Sequence, residues 1–74
     1  MQNYIEIGGV YRHYKNKKLY RVLAIAKHTE TNEGMVVYVA LYGKGQIWTR
    51  PLSMWNEKVE LDGREFLRFT KIDE

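Results

Sequence analysis

Cysteine is absent from this sequence of 74 residues, and serine occurs once, as Ser53. The lack of cysteine excludes disulfides and thiolate-based zinc sites. A single serine does not indicate a serine nucleophile with a catalytic triad. No apolar run approaches the ~20 residues that span a membrane, and no basic stretch followed by an apolar core opens the chain. We therefore expect neither a membrane helix nor a signal peptide.

The length bounds the architecture. Seventy-four residues suffice for one domain, and we expect a single domain over residues 1–74. A chain this short buries only about 60% of the surface that its unfolded form exposes, so the core must be thin. The absence of cysteine also fits a reducing cytoplasm.

Acidic residues are missing from a long stretch near the front of the chain, residues 8–29. The formal charge is +3, yet residues 8–29 contain six basic side chains and no acidic one, whereas residues 30–74 contain eight acidic and six basic side chains. A basic half favours anionic partners. The alternative is that the lysines at 15, 17 and 18 only solubilise the tip of a hairpin.

Turn residues separate short runs of β-forming residues. These runs predict strands over 10–15, 19–28, 35–42, 47–50, 58–61 and 65–69. Residues 51–56 predict a single helical turn, because proline is tolerated at its start. The order predicts a mostly-β fold, which is a small, strongly bent antiparallel sheet or an SH3-like barrel with one short helical turn. An open sheet of three or four strands with one helix is the alternative.

The two longest predicted strands have faces of different character. On one face the central positions of both strands carry aliphatic side chains, and we predict that this face forms the core. Its members are Leu23, Ile25, Met35, Val37, Val39 and Leu41. The opposite face carries tyrosines and a histidine around alanines, where a solvent face would carry lysine, glutamate and threonine. This second face is either covered by other parts of the chain or forms a shallow cleft. Met54 and Trp55 are predicted to anchor the helical turn in the core.

Candidate ligand-binding residues are those whose side chains could stack on a flat group or hold a charged one. They are Tyr11, His13, Tyr20, His28, Glu30, Tyr38, Tyr42, Trp48 and Arg50. Arg50 could clamp a carboxylate or phosphate with its two-pronged guanidinium, unless it pairs with one of the later acids. Glu30 lies two residues after His28 and could orient or charge it. No catalytic grouping, metal site or cofactor motif is indicated.

Four stretches, followed by a closing Arg68-Phe69, form a specific combination. They are GVYRHYK at 9–15, YRVLAIAKHTE at 20–30, VVYVALY at 36–42 and IWTRPLSM at 47–54. Together they resemble a small bacterial family known as domain of unknown function 1653, over nearly the whole chain. The resemblance implies a cytoplasmic bacterial domain, and it implies that Tyr14 and the candidate residues other than Tyr20 belong to the family's pattern. It implies no activity.

These observations favour a small binding module whose aromatic, histidine and arginine face holds a small ligand, a peptide or a nucleic-acid segment. One alternative is a small enzyme or accessory subunit that uses His28 and Glu30. Another is a protein–protein interaction domain, which leaves open a homo-oligomer. No membrane partner is expected.

Overall fold

The computed structural model describes residues 5–72. These residues form seven strands and one helical turn: β1 (Val10–His13), β2 (Leu19–Lys27), β3 (Gly34–Ala40), β4 (Ile47–Pro51), α1 (Leu52–Trp55), β5 (Lys58–Leu61), β6 (Arg64–Leu67) and β7 (Phe69–Ile72). Five strands build one sheet in the order β4-β3-β2-β1-β7, and β5 and β6 form a separate hairpin. Every ladder is antiparallel.

The predicted mostly-β, antiparallel fold with one short helical turn is therefore confirmed. In the part of the chain that the structure describes, no ladder joins β4 to β7, so pairing does not close the five-stranded sheet. The SH3-like barrel stays a prediction.

The end of the chain differs from the expected single strand over 65–69. Two strands occupy this region, and β6 pairs with β5 whereas β7 pairs with β1. Arg68 separates them: its N–H donates to the Glu57 carbonyl at 3.0 Å, and its own carbonyl accepts the Tyr14 N–H at 3.0 Å. One run of β-forming residues thus serves two sheets, and no turn residue marks the change.

The β5–β6 hairpin follows the predicted turn chemistry. Asp62 and Gly63 connect the strands with φ angles of 54° and 77°. Two consecutive positive φ angles are what a two-residue type I′ turn requires, and Asp-Gly is a favoured pair there.

The hydrophobic core lies on the tyrosine face of the sheet, and the predicted core face is wrong. Tyr20, Val22, Val36, Tyr38 and Ala40 are buried. From the predicted set, the exposed fractions are 40% for Leu23, 42% for Ile25 and 44% for Leu41, and the remaining three are half-buried.

Aromatic packing explains the choice of face. Trp55 of α1 stacks on Phe69 of β7 with a centroid distance of 3.8 Å and an interplanar angle of 4°. Tyr38 and Tyr11 meet the Trp55 ring edge-on at 4.9 Å and 5.4 Å. Large rings bury more apolar area than aliphatic side chains do, so the tyrosine face offers the larger gain. Trp55 is in the core as predicted, but Met54 is 43% exposed.

A bulge in β2 also disturbs the expected alternation of side chains. Val22 pairs with Tyr38, but the next paired residue, Ala24, pairs with Val37. Leu23 is the extra residue, and an extra residue shifts every later side chain of a strand to the other face. Leu23 and Ile25 therefore do not belong to one continuous face.

Candidate functional site

A cleft of about 650 Å³ opens beside the aromatic core. It brings together five of the residues that the sequence predicts for a site: His13, Tyr20, Tyr38, Trp48 and Arg50. Four further residues complete the lining: Asn16, Ile47, Thr49 and Phe69. None of the described lining side chains is acidic.

Trp48 provides the accessible ring of the cleft. It pairs with Tyr38 across the β3–β4 ladder, which places both side chains on the same face of the sheet. Its ring centroid lies 6.2 Å from that of Tyr38 and 6.2 Å from that of Tyr20. Both tyrosines are buried, whereas Trp48 is 43% exposed. The cleft therefore has a buried aromatic floor and, in Trp48, an indole ring that a ligand can reach.

Arg50 lies two residues after Trp48 on β4, so the two side chains share a face. Its guanidinium carbon lies 5.5 Å from the centroid of the Phe69 ring, within the range of a cation–π contact. Among residues 5–72 the Arg50 side chain makes no hydrogen bond or ion pair, and the alternative of a partner among the described later acids does not apply. Its N–H donors remain available to a ligand.

His13 stands at the edge of the cleft with its ring edge-on to Phe69 at 5.0 Å. Its Nδ1 accepts the backbone N–H of Lys15 at 3.1 Å, so the neutral ring carries its proton on Nε2. Burial lowers the pKa of His13, and the positive charges of Arg50, Arg68 and Lys15 lower it further. The imidazole is therefore neutral at neutral pH, and its Nε2–H can donate a hydrogen bond to a ligand.

Asn16 fixes the position of Tyr20. The Asn16 Oδ1 accepts the Lys18 N–H at 2.8 Å, and its Nδ2 donates to the Tyr20 hydroxyl at 3.1 Å. The Tyr20 hydroxyl also lies 2.8 Å from the hydroxyl of Tyr42. This hydrogen bond, followed by burial, raises the pKa of Tyr42. Tyr42 thus does not line the cleft but holds one of its walls.

The other predicted residues lie elsewhere. Tyr11 packs against Trp55 in the core, and its hydroxyl accepts the Glu6 N–H at 3.0 Å. His28 and Glu30 are exposed in the loop between β2 and β3, and neither lines the cleft. The Glu30 backbone N–H, rather than its carboxylate, contacts His28, donating to Nδ1 at 3.1 Å.

Asn16, Ile47, Thr49 and Phe69 were missed as cleft residues. The turn position of Asn16 was visible in the sequence, but its bond to Tyr20 depends on how the β1–β2 loop folds back. Phe69 reaches the cleft only because β7 pairs with β1, which matches His13 with Phe69. Thr49 lies between Trp48 and Arg50, and that position was the only signal available.

Residues 5–72 contain no cluster of three or more histidine, aspartate or glutamate side chains that could hold a metal ion. No helix within this range has the length and apolar character to cross a membrane.

Comparison with known proteins relates this chain to one family. The sequence model of a family described as protein of unknown function, DUF1653, matches residues 9–71. A crystal structure of a DUF1653 protein from Bordetella bronchiseptica is 40% identical, covers 88% of this chain and 85% of its own, and superposes with a TM-score of 0.77. No curated protein matches the chain significantly.

Proposed function

The chain belongs to the DUF1653 family, and we propose from its cleft that it is a binding module for a flat ring that carries an anionic group, as a nucleotide does. One observation carries this proposal. The exposed ring of Trp48 and the guanidinium of Arg50 stand on the same face of one short strand. Within residues 5–72 the guanidinium has no ion-pair partner, and no acidic side chain lines the cleft. Stacking and anion binding are therefore available side by side.

Each part of the cleft has a defined task in this proposal. The Trp48 ring stacks on the flat group, an interaction worth about 1–3 kcal/mol for a nucleobase. Arg50 binds the anion through two parallel N–H donors, while Phe69 supports the guanidinium plane. The Nε2–H of His13 donates a further hydrogen bond. His13 is neutral in the free cleft, and it can gain a proton and a positive charge when an anion binds.

The charge around the cleft favours a phosphate over a lone carboxylate. The positive charges of Arg50, Arg68 and Lys15 all act on His13 at this cleft and lower its pKa. Lys15 belongs to the loop at 14–18, which also places Asn16 in the cleft lining. A group with two negative charges gains more from this surrounding than a peptide carboxylate with one.

The enzyme alternative has less support. His28 and Glu30 lie outside the cleft, and Nδ1 of His28 is already occupied by the backbone of its own loop. The interaction-domain alternative and the cytoplasmic location stay predictions.

A titration by two-dimensional NMR tests the proposal. The indole N–H signals of Trp48 and Trp55 are separate reporters, one for the cleft and one for the core. Adenosine and uridine 5′-monophosphates should shift the signals of Trp48, Arg50 and Asn16. The corresponding nucleosides should bind about tenfold more weakly, because they lack the partner of Arg50.

Two variants with matched controls decide the assignment. Trp48→Ala and Arg50→Gln should each weaken nucleotide binding by about tenfold. Leu61→Ala removes another exposed apolar side chain, and Arg64→Gln another exposed arginine, and both should bind as the unaltered protein does. Signal shifts that spread evenly over the surface, or equal effects of the variants and their controls, would refute the proposal.

A further inference from the structure

A second, smaller cleft shares His13 with the first. It measures about 220 Å³, and its lining includes Arg12, Tyr14, Lys17 and Phe66 together with His13 itself. Among residues 5–72, no acidic side chain lines this second cleft. His13 is thus shared by two clefts whose described linings are both without an acidic side chain.

Aromatic rings continue from the first cleft into the second. The His13 ring contacts Phe69 of the first cleft at 5.0 Å and Tyr14 of the second at 5.1 Å. Phe66 of the second cleft is 38% exposed. Each cleft therefore has an exposed ring of its own, Trp48 in the first and Phe66 in the second.

Positive charge follows the same path. Arg50 belongs to the first cleft, and Arg12 and Lys17 belong to the second. Residues 8–29 contain no acidic side chain to offset these charges. A ligand with regularly spaced negative charges fits such a surface better than a single anion does.

We propose that the ligand is a single-stranded polynucleotide, with one nucleotide in the first cleft and a neighbouring one in the second. This inference rests on the proposed function, since it takes the nucleotide of the first cleft as its starting point. Bases can stack on Trp48 and Phe66 only when their faces are free, as they are in a single strand and not in a duplex. His13 lies at the link between the two nucleotides.

Dependence on strand length tests the inference. Binding of the 74-residue chain to labelled oligo(dT) and oligo(U) of one, two, four and eight nucleotides is measured by fluorescence anisotropy. The affinity should rise by at least about tenfold between one and four nucleotides as the second cleft fills. The affinity for the tetramer should fall steeply as salt rises from about 50 to about 200 mM. The two series distinguish DNA from RNA as the source of the strand.

Variants of the second cleft provide the decisive comparison. Phe66→Ala and Lys17→Gln should each lower the ratio of tetramer to mononucleotide affinity by at least about fivefold. Leu61→Ala on the same hairpin and Lys44→Gln in another loop are the matched controls and should leave that ratio unchanged. NMR spectra of all four variants establish that the fold is intact.

The outcomes separate this inference from the proposed function. If mononucleotides bind the first cleft but tetramers bind no tighter, the inference fails and the proposed function stands. If a duplex competes as well as the single strand, or if Phe66→Ala and Lys17→Gln leave the ratio unchanged, the inference also fails. If neither mononucleotides nor strands bind, the proposed function fails with it.

Discussion

The hydroxyl groups of Tyr20 and Tyr42 lie 2.8 Å apart, and Asn16 donates a hydrogen bond to the first of them at 3.1 Å. The Tyr20 ring is buried in the core, where it meets the rings of Tyr38 and Phe69 edge-on at 5.6 Å and 5.8 Å. One side chain thus belongs to the core through its ring and to the cleft wall through its hydroxyl. The stability of the core and the shape of the cleft are coupled at this residue.

Removing the Tyr20 hydroxyl should destabilise the protein. Tyr20→Phe keeps the ring but leaves the Asn16 amide and the Tyr42 hydroxyl without their partner, and we expect the free energy of unfolding to fall by about 1 kcal/mol. Urea denaturation followed by circular dichroism measures this. Tyr14→Phe is the control, because the Tyr14 hydroxyl makes no hydrogen bond within residues 5–72, and its effect should stay below about 0.5 kcal/mol. Equal effects of the two substitutions would contradict the assigned network.

Neighbouring valines of β3 report which face of the sheet is the core. Val36 is fully buried, whereas Val37 faces the opposite side and is half-buried. Val36→Ala should lower the free energy of unfolding by about 2 kcal/mol, from lost burial and the cavity it leaves. Val37→Ala makes the same change in side chain and strand propensity and should cost less than about 1 kcal/mol. A larger decrease in the free energy of unfolding for Val37→Ala than for Val36→Ala would show that the aliphatic face is the core.

The lowered pKa of His13 makes stability depend on pH. Burial and nearby positive charges oppose protonation in the folded protein, whereas the unfolded chain takes up the proton near its ordinary pKa of about 6.5. As pH falls from that value towards the lower folded pKa, the unfolded state binds more protons and the free energy of unfolding decreases. Denaturation between about pH 7.5 and pH 5 should show a shallower decrease in His13→Gln than in the unaltered protein. Parallel curves would exclude this contribution.

Ligand binding should show the reciprocal effect. An anion in the cleft offsets the charges of Arg50, Arg68 and Lys15 and raises the pKa of His13. Nucleotide affinity should therefore increase as pH falls through the range where His13 gains its proton. Isothermal calorimetry at several pH values, with His13→Gln as the variant that lacks the response, measures this. An affinity independent of pH would show that His13 does not sense the anion.

The geometry of the Arg50 guanidinium should matter beyond its charge. Arg50→Lys keeps the positive charge but loses the planar fork and the stacking on Phe69, so nucleotide affinity should fall by about tenfold. The dependence of affinity on salt should change little, because the charge is retained, whereas Arg50→Gln should reduce it. Arg64→Lys serves as the control for the same change at an exposed site away from both clefts. If Arg50→Lys binds as well as the unaltered protein, Arg50 acts only as a charge.

Local chemistry let the sequence predict most strands, the helical turn and the turn at Asp62-Gly63, because β-forming runs and turn residues act over a few positions. The same reasoning from side-chain chemistry identified Trp48 and Arg50 as candidate ligand-binding residues, because an indole ring can stack and a guanidinium can bind an anion in any fold. Composition also established the absence of acidic side chains from residues 8–29.

Tertiary structure decided which face became the core. Alternation defines two faces but does not rank them, and Trp55 and Phe69, distant in sequence from β2, gave the tyrosine face its covering layer. The bulge at Leu23 and the division of the last strand at Arg68 are likewise set by pairing with other strands. The cleft depends on pairing between strands, because the pairing of β1 with β7 and of β3 with β4 brings His13, Phe69 and Trp48 together.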